Sequence, residues 1–246
     1  MELKLIRSWL RAGVLENGVT TDSPSGTPQG SPISPLLANI ALHVLDVAWE
    51  KTGRRLGVLI CYADDFVVLC ATRSRAEEAR ERAVTVLGTL GLQLNPDKTR
   101  IVHLTRGEEG FDFLGFHHHK VEAWRWPGRF YMQRWPSPKA MSSIRDKVRQ
   151  ATDRRFVGNS LETAVQRLNP VLRGWGNYFG VGNSARQFSA VDSYVHRRLA
   201  RLASRKHGLS HPNWSQESRF NHDWLLGLGV YRLSGTVRWT NAHAGR

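Results

Sequence analysis

The stretch Val58-Leu59-Ile60-Cys61-Tyr62-Ala63-Asp64-Asp65-Phe66-Val67-Val68-Leu69-Cys70 constrains this chain more than any other. Two adjacent carboxylates stand between two short apolar runs. Runs that short, rich in Val and Ile, read as strands buried on both faces, and Ala63-Asp64-Asp65 is a break tight enough for a hairpin. The acids then sit at the tip of a dry sheet. Such a pair has two readings. Asp is a common turn residue whose side chain bonds its own backbone and is otherwise solvated. Alternatively, an anchored carboxylate pair holds divalent metal: hard oxygen ligands suit Mg2+, and two such ions can clamp the attacking and leaving oxygens of a phosphoryl transfer.

Charge separates the chain into two unlike halves. Residues 1–120 carry 14 Lys+Arg against 14 Asp+Glu, whereas residues 121–246 carry 21 against 7, so the whole net charge of +14 lies in the second half. Seven of the nine Trp lie there as well, at 124, 126, 135, 175, 214, 224 and 239. Arginine neutralises phosphates and flat rings stack on bases, so basic charge interleaved with aromatics suits a polyanion-binding surface; a solvated surface or an acidic protein partner is the alternative. Cys61 and Cys70 match no zinc or redox spacing and read as buried apolar residues of a reduced, cytoplasmic protein. No apolar run reaches the length of a membrane span, and no signal sequence opens the chain.

Taken in order, Glu2 to Ala12 has helical spacing, and Val14 to Asp22 alternates around Asn17-Gly18, a two-residue hairpin turn. Gly26 to Pro35 is a loop stiffened by Gly and Pro. It runs into a helix capped by Ser34 with Pro35 first, reaching about Glu50. Glycine there lets backbone approach a ligand, and an ordinary structural loop is the plain alternative. Ser74-Arg75-Ala76-Glu77 reads as a capping box that opens a helix ended by Gly91. Lys98 follows a turn ahead of an expected strand, Arg100 to Leu104. It is either a surface lysine or one that reaches a phosphate or protonates a leaving pyrophosphate. Phe111 to Phe116 reads as a strand pair bent at Gly115. His117-His118-His119 cannot converge on one ion if they lie on a strand, because neighbouring side chains there point to opposite faces.

From Ser137 the period becomes helical. Met141, Ile144, Val148 and Ala151 form one stripe. A second, begun by Ser160, runs Leu161, Val165, Leu168, Leu172 and Trp175, with Pro170 expected to kink it. A third, begun by Ser184, runs Phe188, Val191, Val195, Leu199 and Leu202 and is stopped by Gly208. Packed together, three such helices bury the stripes and leave arginine outside. The tail, 209–246, has short aromatic segments with no clear placement.

In this order the segments resemble the reverse transcriptase and maturase encoded within bacterial group II introns. The matching stretches are Gly26 to Asn39 (GTPQGSPISPLLAN), Tyr62 to Phe66 (YADDF), Leu94 to Thr99 (LNPDKT), Phe111 to Phe116 (FDFLGF) and Leu168 to Phe179 (LNPVLRGWGNYF). The resemblance implies an RNA-directed DNA polymerase and intron maturase using Mg2+. Asp64 and Asp65 would bind the metal and, with Lys98 near the triphosphate, make up the catalytic set. Pro28, Gln29, Gly30, Tyr62 and Ala63 would contact the incoming nucleotide and template. Phe111 to Phe116 would grip the primer end. The helices after Ser137 would form the thumb, called domain X, which binds intron RNA. Its candidate contacts are Arg145, Lys147, Arg149, Arg154 and Arg155, then Arg173 in the signature, then Arg197, Arg198 and Arg201. Within that signature, Arg173, Trp175, Asn177 and Tyr178 match, while Leu172 and Trp175 are as well suited to the core.

The expected fold is α+β: a partial reverse-transcriptase palm over 1–122, an antiparallel sheet backed by helices; a linker over 123–136; an α-helical thumb over 137–208; and an extension over 209–246. The family's polymerase uses a further metal-binding aspartate upstream of the Gly26 loop. Of Glu2, Glu16, Asp22, Asp46 and Glu50, none lies in a suitable apolar strand, so the metal site reads as incomplete and the chain as a truncated form inactive alone. The implied partners are group II intron RNA, an RNA template, a DNA primer, dNTPs and a complementing N-terminal fragment, with no membrane, in a cytoplasmic ribonucleoprotein. The alternative is a non-enzymatic RNA-binding splicing cofactor, and a remnant without function is the third reading.

Overall fold

The computed structural model describes residues 4, 6–8, 14–16, 19–21, 33–104, 109–207 and 220–238. They fall into two compact units, Met1–Ile101 and Val102–Arg246. The architecture is α+β, with antiparallel strands and helices in both units, as expected of a partial palm followed by a helical domain.

In the first unit, residues 4 and 6–8 are helical. Strands β1 (Val14–Glu16) and β2 (Val19–Thr21) pair with Glu16 opposite Val19, which is the hairpin that Asn17-Gly18 predicts. Helix α1 (Ser34–Ala48) carries Pro35 in its first turn and continues as a π-helical turn, Trp49–Gly53. The hairpin β3 (Gly57–Tyr62) and β4 (Asp65–Cys70) follows, then helix α2 (Arg73–Gly88). Here the cap differs from the expected box. Thr72 accepts the Arg75 N–H, and Glu77 pairs with Arg73 at 2.9 Å instead of reaching back to a cap. Gly91, at φ +70°, closes the helix end in the left-handed region where glycine carries no Cβ penalty.

Leu45, Trp49, Leu56, Ala79, Ala83 and Val86 form this unit's core, and Leu59, Phe66, Val68 and Cys70 pack against it from one face of the hairpin. The strands are therefore not buried on both faces. Alternation puts Val58, Ile60, Tyr62 and Leu69 on the other face, where all four are exposed. Both helices cover a single side of a two-stranded ribbon, and that limits what the Val/Ile runs can bury. The cysteines also depart from expectation: although both lie on the core-facing side of the ribbon, Cys70 is only half-buried and Cys61, next to the tip, is exposed. The expected strand Arg100 to Leu104 is not formed: residues 100–104 belong to neither a strand nor a helix.

In the second unit, β5 (Gly110–Phe113), β6 (Phe116–Glu122) and β7 (Phe130–Pro136) make one antiparallel sheet in that order. The β5–β6 turn puts Leu114 and Gly115 at φ 50° and 75°, the bend expected at Gly115. The segment 122–136, which reads from its Trp, Pro and Arg content as a linker or an exposed ribbon, is the ribbon over Phe130–Pro136 and not a linker throughout. The Trp-Pro-Gly sequence at its start makes a turn, after which alternating Tyr131, Gln133 and Trp135 pair along β6. Helices α3 (Pro138–Ala151), α4 (Leu161–Phe179) and α5 (Ala185–Lys206) follow. Ser137 and Ser160 cap the first two by accepting N–H bonds from Ala140 and Thr163. Ser184 instead turns its hydroxyl back to the Phe179 carbonyl at 2.7 Å. Helix α4 runs as one element through Pro170. Gly208, the expected stop of α5, lies outside the described residues.

The three stripes meet as predicted: Ile144, Val148, Leu168, Leu172, Phe188, Val191 and Leu199 are fully buried, each such side chain contributing about 1.5–3 kcal/mol. The tail, unplaced by sequence, belongs to the same core. A short helix α6 (His222–Gly227) brings in Leu225, and Leu233 is completely buried. Polar side chains hold it there. Asn169 of α4 donates to the Gly229 carbonyl and accepts from Tyr231 N–H, at 2.8 and 2.7 Å. Asp192 of α5 accepts from Leu233 N–H, Ser234 N–H and the Ser234 hydroxyl, at 3.0, 2.8 and 2.6 Å.

Removing Asp192 strands two backbone donors at a half-buried site. Asp192→Ala is expected to cost about 1–3 kcal/mol, read in a thermal melt as a fall of about 2–4 °C per kcal/mol, with Asp192→Asn milder. An unchanged midpoint would show that the tail contributes nothing to this unit.

Burial holds the His118 imidazole below its ordinary value of 6.5; Arg134 and His117 add to this, and the Phe113 backbone and Asp112 oppose it. The folded unit therefore resists a proton that the unfolded chain accepts. Its contribution is full above pH 6.5 and is lost as pH falls through 6.5 toward the folded value. Denaturant titrations across that window should show a slope that His118→Gln reduces.

Candidate functional site

The register of β3 and β4 ends on Tyr62 opposite Asp65, so Ala63-Asp64 is the two-residue turn. Ala63 sits at φ 52°, a left-handed conformation that non-glycine residues adopt only when the surroundings impose it. Here the paired strands impose it. Asp64 is thus carried on the tip, and Asp65 opens β4 on the same face as exposed Tyr62. Neither carboxylate makes an ion pair among the described residues, so their oxygens are available to a hard cation. Two adjacent carboxylates suit Mg2+, which takes one or two and fills its other positions with water and phosphate. Among the described residues no group of three or more His, Cys, Asp or Glu could hold a metal ion.

Beneath the tip, Asp46 of α1 lies beside Cys61. Loss of hydration, then the Asp46 charge and its hydrogen bond, push the Cys61 thiol up to about 11. Asp46 itself is helical and approaches His43 at 3.6 Å. Lys98 is exposed in a turn built by Asn95, whose Oδ1 accepts the Asp97 and Lys98 N–H groups at 3.0 and 3.2 Å. No hydrogen bond or ion pair among the described residues joins Lys98 to Asp64 or Asp65. Pro28, Gln29 and Gly30 lie outside the described residues.

In the second unit, Arg145, Lys147, Arg149, Arg154, Arg155, Arg173, Arg197 and Arg201 are exposed. Several are engaged. Arg149 pairs with Asp146 at 2.8 Å, Arg155 with Asp153 at 3.4 Å, and Arg173 lies 5.2 Å over the Tyr231 ring. Arg198 departs most from expectation, because its half-buried guanidinium donates to Thr152 Oγ1 at 2.9 Å, to the Thr152 carbonyl at 3.0 Å and to the Arg149 carbonyl at 3.3 Å. It braces α5 against the end of α3. Burial, then the nearby charges of Arg149, Arg201 and Arg205, lower its pKa, and that repulsion marks a guanidinium cluster. Arg205 was missed by sequence, although it stands one turn beyond Arg201 with i, i+4 spacing.

The signature at 168–179 is spent on architecture. The Trp175 ring packs on Phe179 and Phe188, at 4.8 and 5.4 Å, Asn177 accepts from Arg238, and the Tyr178 hydroxyl donates to the Leu114 carbonyl at 2.9 Å. Phe116 meets Phe179 at 4.8 Å, which ties the β5–β6 turn to the helices. The three histidines behave as strand geometry requires. His117 and His119 share a face with Trp135, His118 lies opposite, and His117 bonds Asp112 at 2.6 Å.

Comparison with known proteins gives two family matches: residues 1–118 fit the model described as reverse transcriptase (RNA-dependent DNA polymerase), and residues 141–222 the group II intron, maturase-specific domain. Protein YkfC of Escherichia coli is 33% identical over 145 residues, 46% of this chain and 37% of that protein. The group II intron-encoded protein LtrA of Lactococcus lactis is 58% identical over 43 residues, 18% of this chain and 7% of the relative. A retrovirus-related Pol polyprotein from the retrotransposable element R2DM of Drosophila melanogaster is 32% identical over 78 residues, 30% of this chain and 7% of that one. The matched stretches thus span well under two thirds of these relatives. A palm hairpin ending in Asp64-Asp65, a helical unit built on the 168–179 signature, and both family matches in sequence order lead to one assignment: the chain belongs to the group II intron reverse transcriptase/maturase family.

Proposed function

We propose that the first unit supplies the catalytic hairpin of an RNA-directed DNA polymerase and that the second binds group II intron RNA as a maturase thumb, in a cytoplasmic ribonucleoprotein. The observation that carries the first part is the Tyr62-Ala63-Asp64-Asp65 turn, held in a strained conformation with both carboxylates toward solvent. Asp64 and Asp65 would hold Mg2+, which supplies positive charge at the triphosphate and at the attacking 3′-hydroxyl. Tyr62 and Ala63 would border the nucleotide, as would Pro28, Gln29 and Gly30. Lys98, on its Asn95-built turn, would meet the triphosphate and give a proton to the departing pyrophosphate.

Two carboxylates suit a single Mg2+ but leave a two-ion site short of negative charge. The family's further aspartate has no counterpart among the described residues near the tip, and we propose that a segment carrying that motif completes the site from a complementing fragment. Primer extension on an RNA template with dNTPs and Mg2+ tests this. The purified chain should be silent alone and active when mixed with an upstream segment of a related protein, and Asp64→Ala should abolish that activity. Robust extension by the chain alone would overturn the incomplete-site reading. Silence in both arms would leave the alternative, a non-enzymatic RNA-binding splicing cofactor.

RNA binding rests on the exposed cations of α3 and α5, with Arg145, Lys147, Arg197 and Arg201 the principal contacts and Arg198 a brace. Each phosphate neutralised releases counterions, so affinity should fall steeply with salt. Changing Arg145, Arg197 and Arg201 together to Ala should reduce the slope of log affinity against log salt by about two to three. A slope that does not move would place the RNA elsewhere.

A further inference from the structure

The turn between β6 and β7 is the most exposed aromatic feature of the described chain, and neither the catalytic hairpin nor the thumb cations account for it. Trp124 is 86% and Trp126 58% exposed, and neither ring packs against either hydrophobic core. Leaving two indoles in water forgoes the largest apolar burial that any side chain offers, so a pair displayed together marks a contact surface.

This turn is built to hold its shape. Ala123 N–H donates to the Arg129 carbonyl at 2.7 Å, Trp126 N–H to the Ala123 carbonyl at 3.1 Å, and Arg129 N–H to the Trp126 carbonyl at 3.1 Å. Gly128, at φ +83°, gives its N–H to the Glu122 carboxylate at 2.7 Å, so the one acid at this end of the hairpin takes part in closing the turn. What remains outward is aromatic and cationic. The Arg125 guanidinium lies 5.6 Å from the Trp124 ring centre, and Arg129 is exposed on the far side of the turn. Just below, Lys120 sits 5.0 Å over Phe130, and Tyr131 is exposed beside it.

We propose that this hairpin tip is a stacking platform for unpaired nucleobases: Trp124 and Trp126 take the faces of bases in a single strand, while Arg125 and Arg129 meet the flanking phosphates. Flat rings alternating with guanidinium groups on a fixed turn provide the two contacts that a single strand offers at each nucleotide, a π-face and a phosphate. A duplex keeps its bases stacked on one another and offers the rings nothing equivalent. The inference rests on the reading of the second unit as nucleic-acid binding, but it assigns to the tip a preference that the thumb cations do not produce.

The test is fluorescence anisotropy with the full chain and labelled single-stranded RNA, single-stranded DNA and duplex RNA of equal length, at low and high salt. Trp124→Ala combined with Trp126→Ala should weaken single-strand binding by roughly ten-fold or more, because stacking is worth about 1–3 kcal/mol per base, with duplex binding unchanged. The deficit should persist at high salt, since stacking releases no counterions. Phe at both positions should restore most of the affinity, and the melting temperature should not move, because the rings support no core. Equal loss on single strand and duplex, or none on either, overturns the platform even where RNA binding itself is sound. Absence of all RNA binding by the unaltered chain overturns instead the reading beneath it. The RNA and DNA arms show which strand the platform takes.

Discussion

In the second unit the side chains of one helix, α4, reach the sheet, the neighbouring helices and the tail alike. Its Asn169 fastens the tail through both of its amide atoms, its Phe179 packs on Phe116 from the sheet, and its Tyr178 hydroxyl holds the Leu114 carbonyl of the β5–β6 turn. Gly176 completes the arrangement by absence: a Cβ there would stand 2.6 Å from Leu233. Sheet, helices and tail thus share one anchor, and the small three-stranded sheet gains a packed support. The polar and aromatic side chains of such a stretch are easily read as contacts with RNA, whereas here most of them are consumed in holding sheet, helices and tail together.

The first unit obeys a different constraint. Its hairpin is supported on one face only, yet its tip carries Ala63 in a conformation that costs free energy. Strand pairing through Gly57 to Cys70 holds the turn, while Leu45, Trp49 and Ala83 hold the strands. What the tip gains is position: the two carboxylates are kept on a short turn and form no ion pair among the described residues. The apolar residues of the uncovered face, Val58, Ile60 and Leu69, are the counterpart of that economy. An uncovered ribbon of this kind has open edges on which another strand can pair.

Much of this was legible in the sequence because it depends on period and on turn chemistry. Most stripe residues of α3, α4 and α5 are buried, with Met141, Ala151, Leu161 and Trp175 half-buried, and the Ala63-Asp64-Asp65 break and the bend at Gly115 fall at turns. What escaped depends on partners. The Val/Ile runs specified strands but not how many layers would cover them. The Trp-rich segment after Glu122 lacked an obvious strand pattern because its pairing is set by β6. Asp192 has no local mark of its role, since the backbone donors that it bonds come about forty residues later in the chain. Arg198 was counted with the surface cations because nothing local distinguishes a guanidinium that turns inward to the carbonyls ending α3.

The elevated Cys61 thiol has a consequence for handling this protein. The thiolate is the reactive form, and a pKa of about 11 leaves only about one thiol in ten thousand ionised at neutral pH. Although Cys61 is exposed and lies close to the Ala63-Asp64 turn, it is therefore a poor nucleophile. Alkylating labels aimed at the palm will find it slow, and two chains meeting through their open ribbons will not readily become cross-linked there.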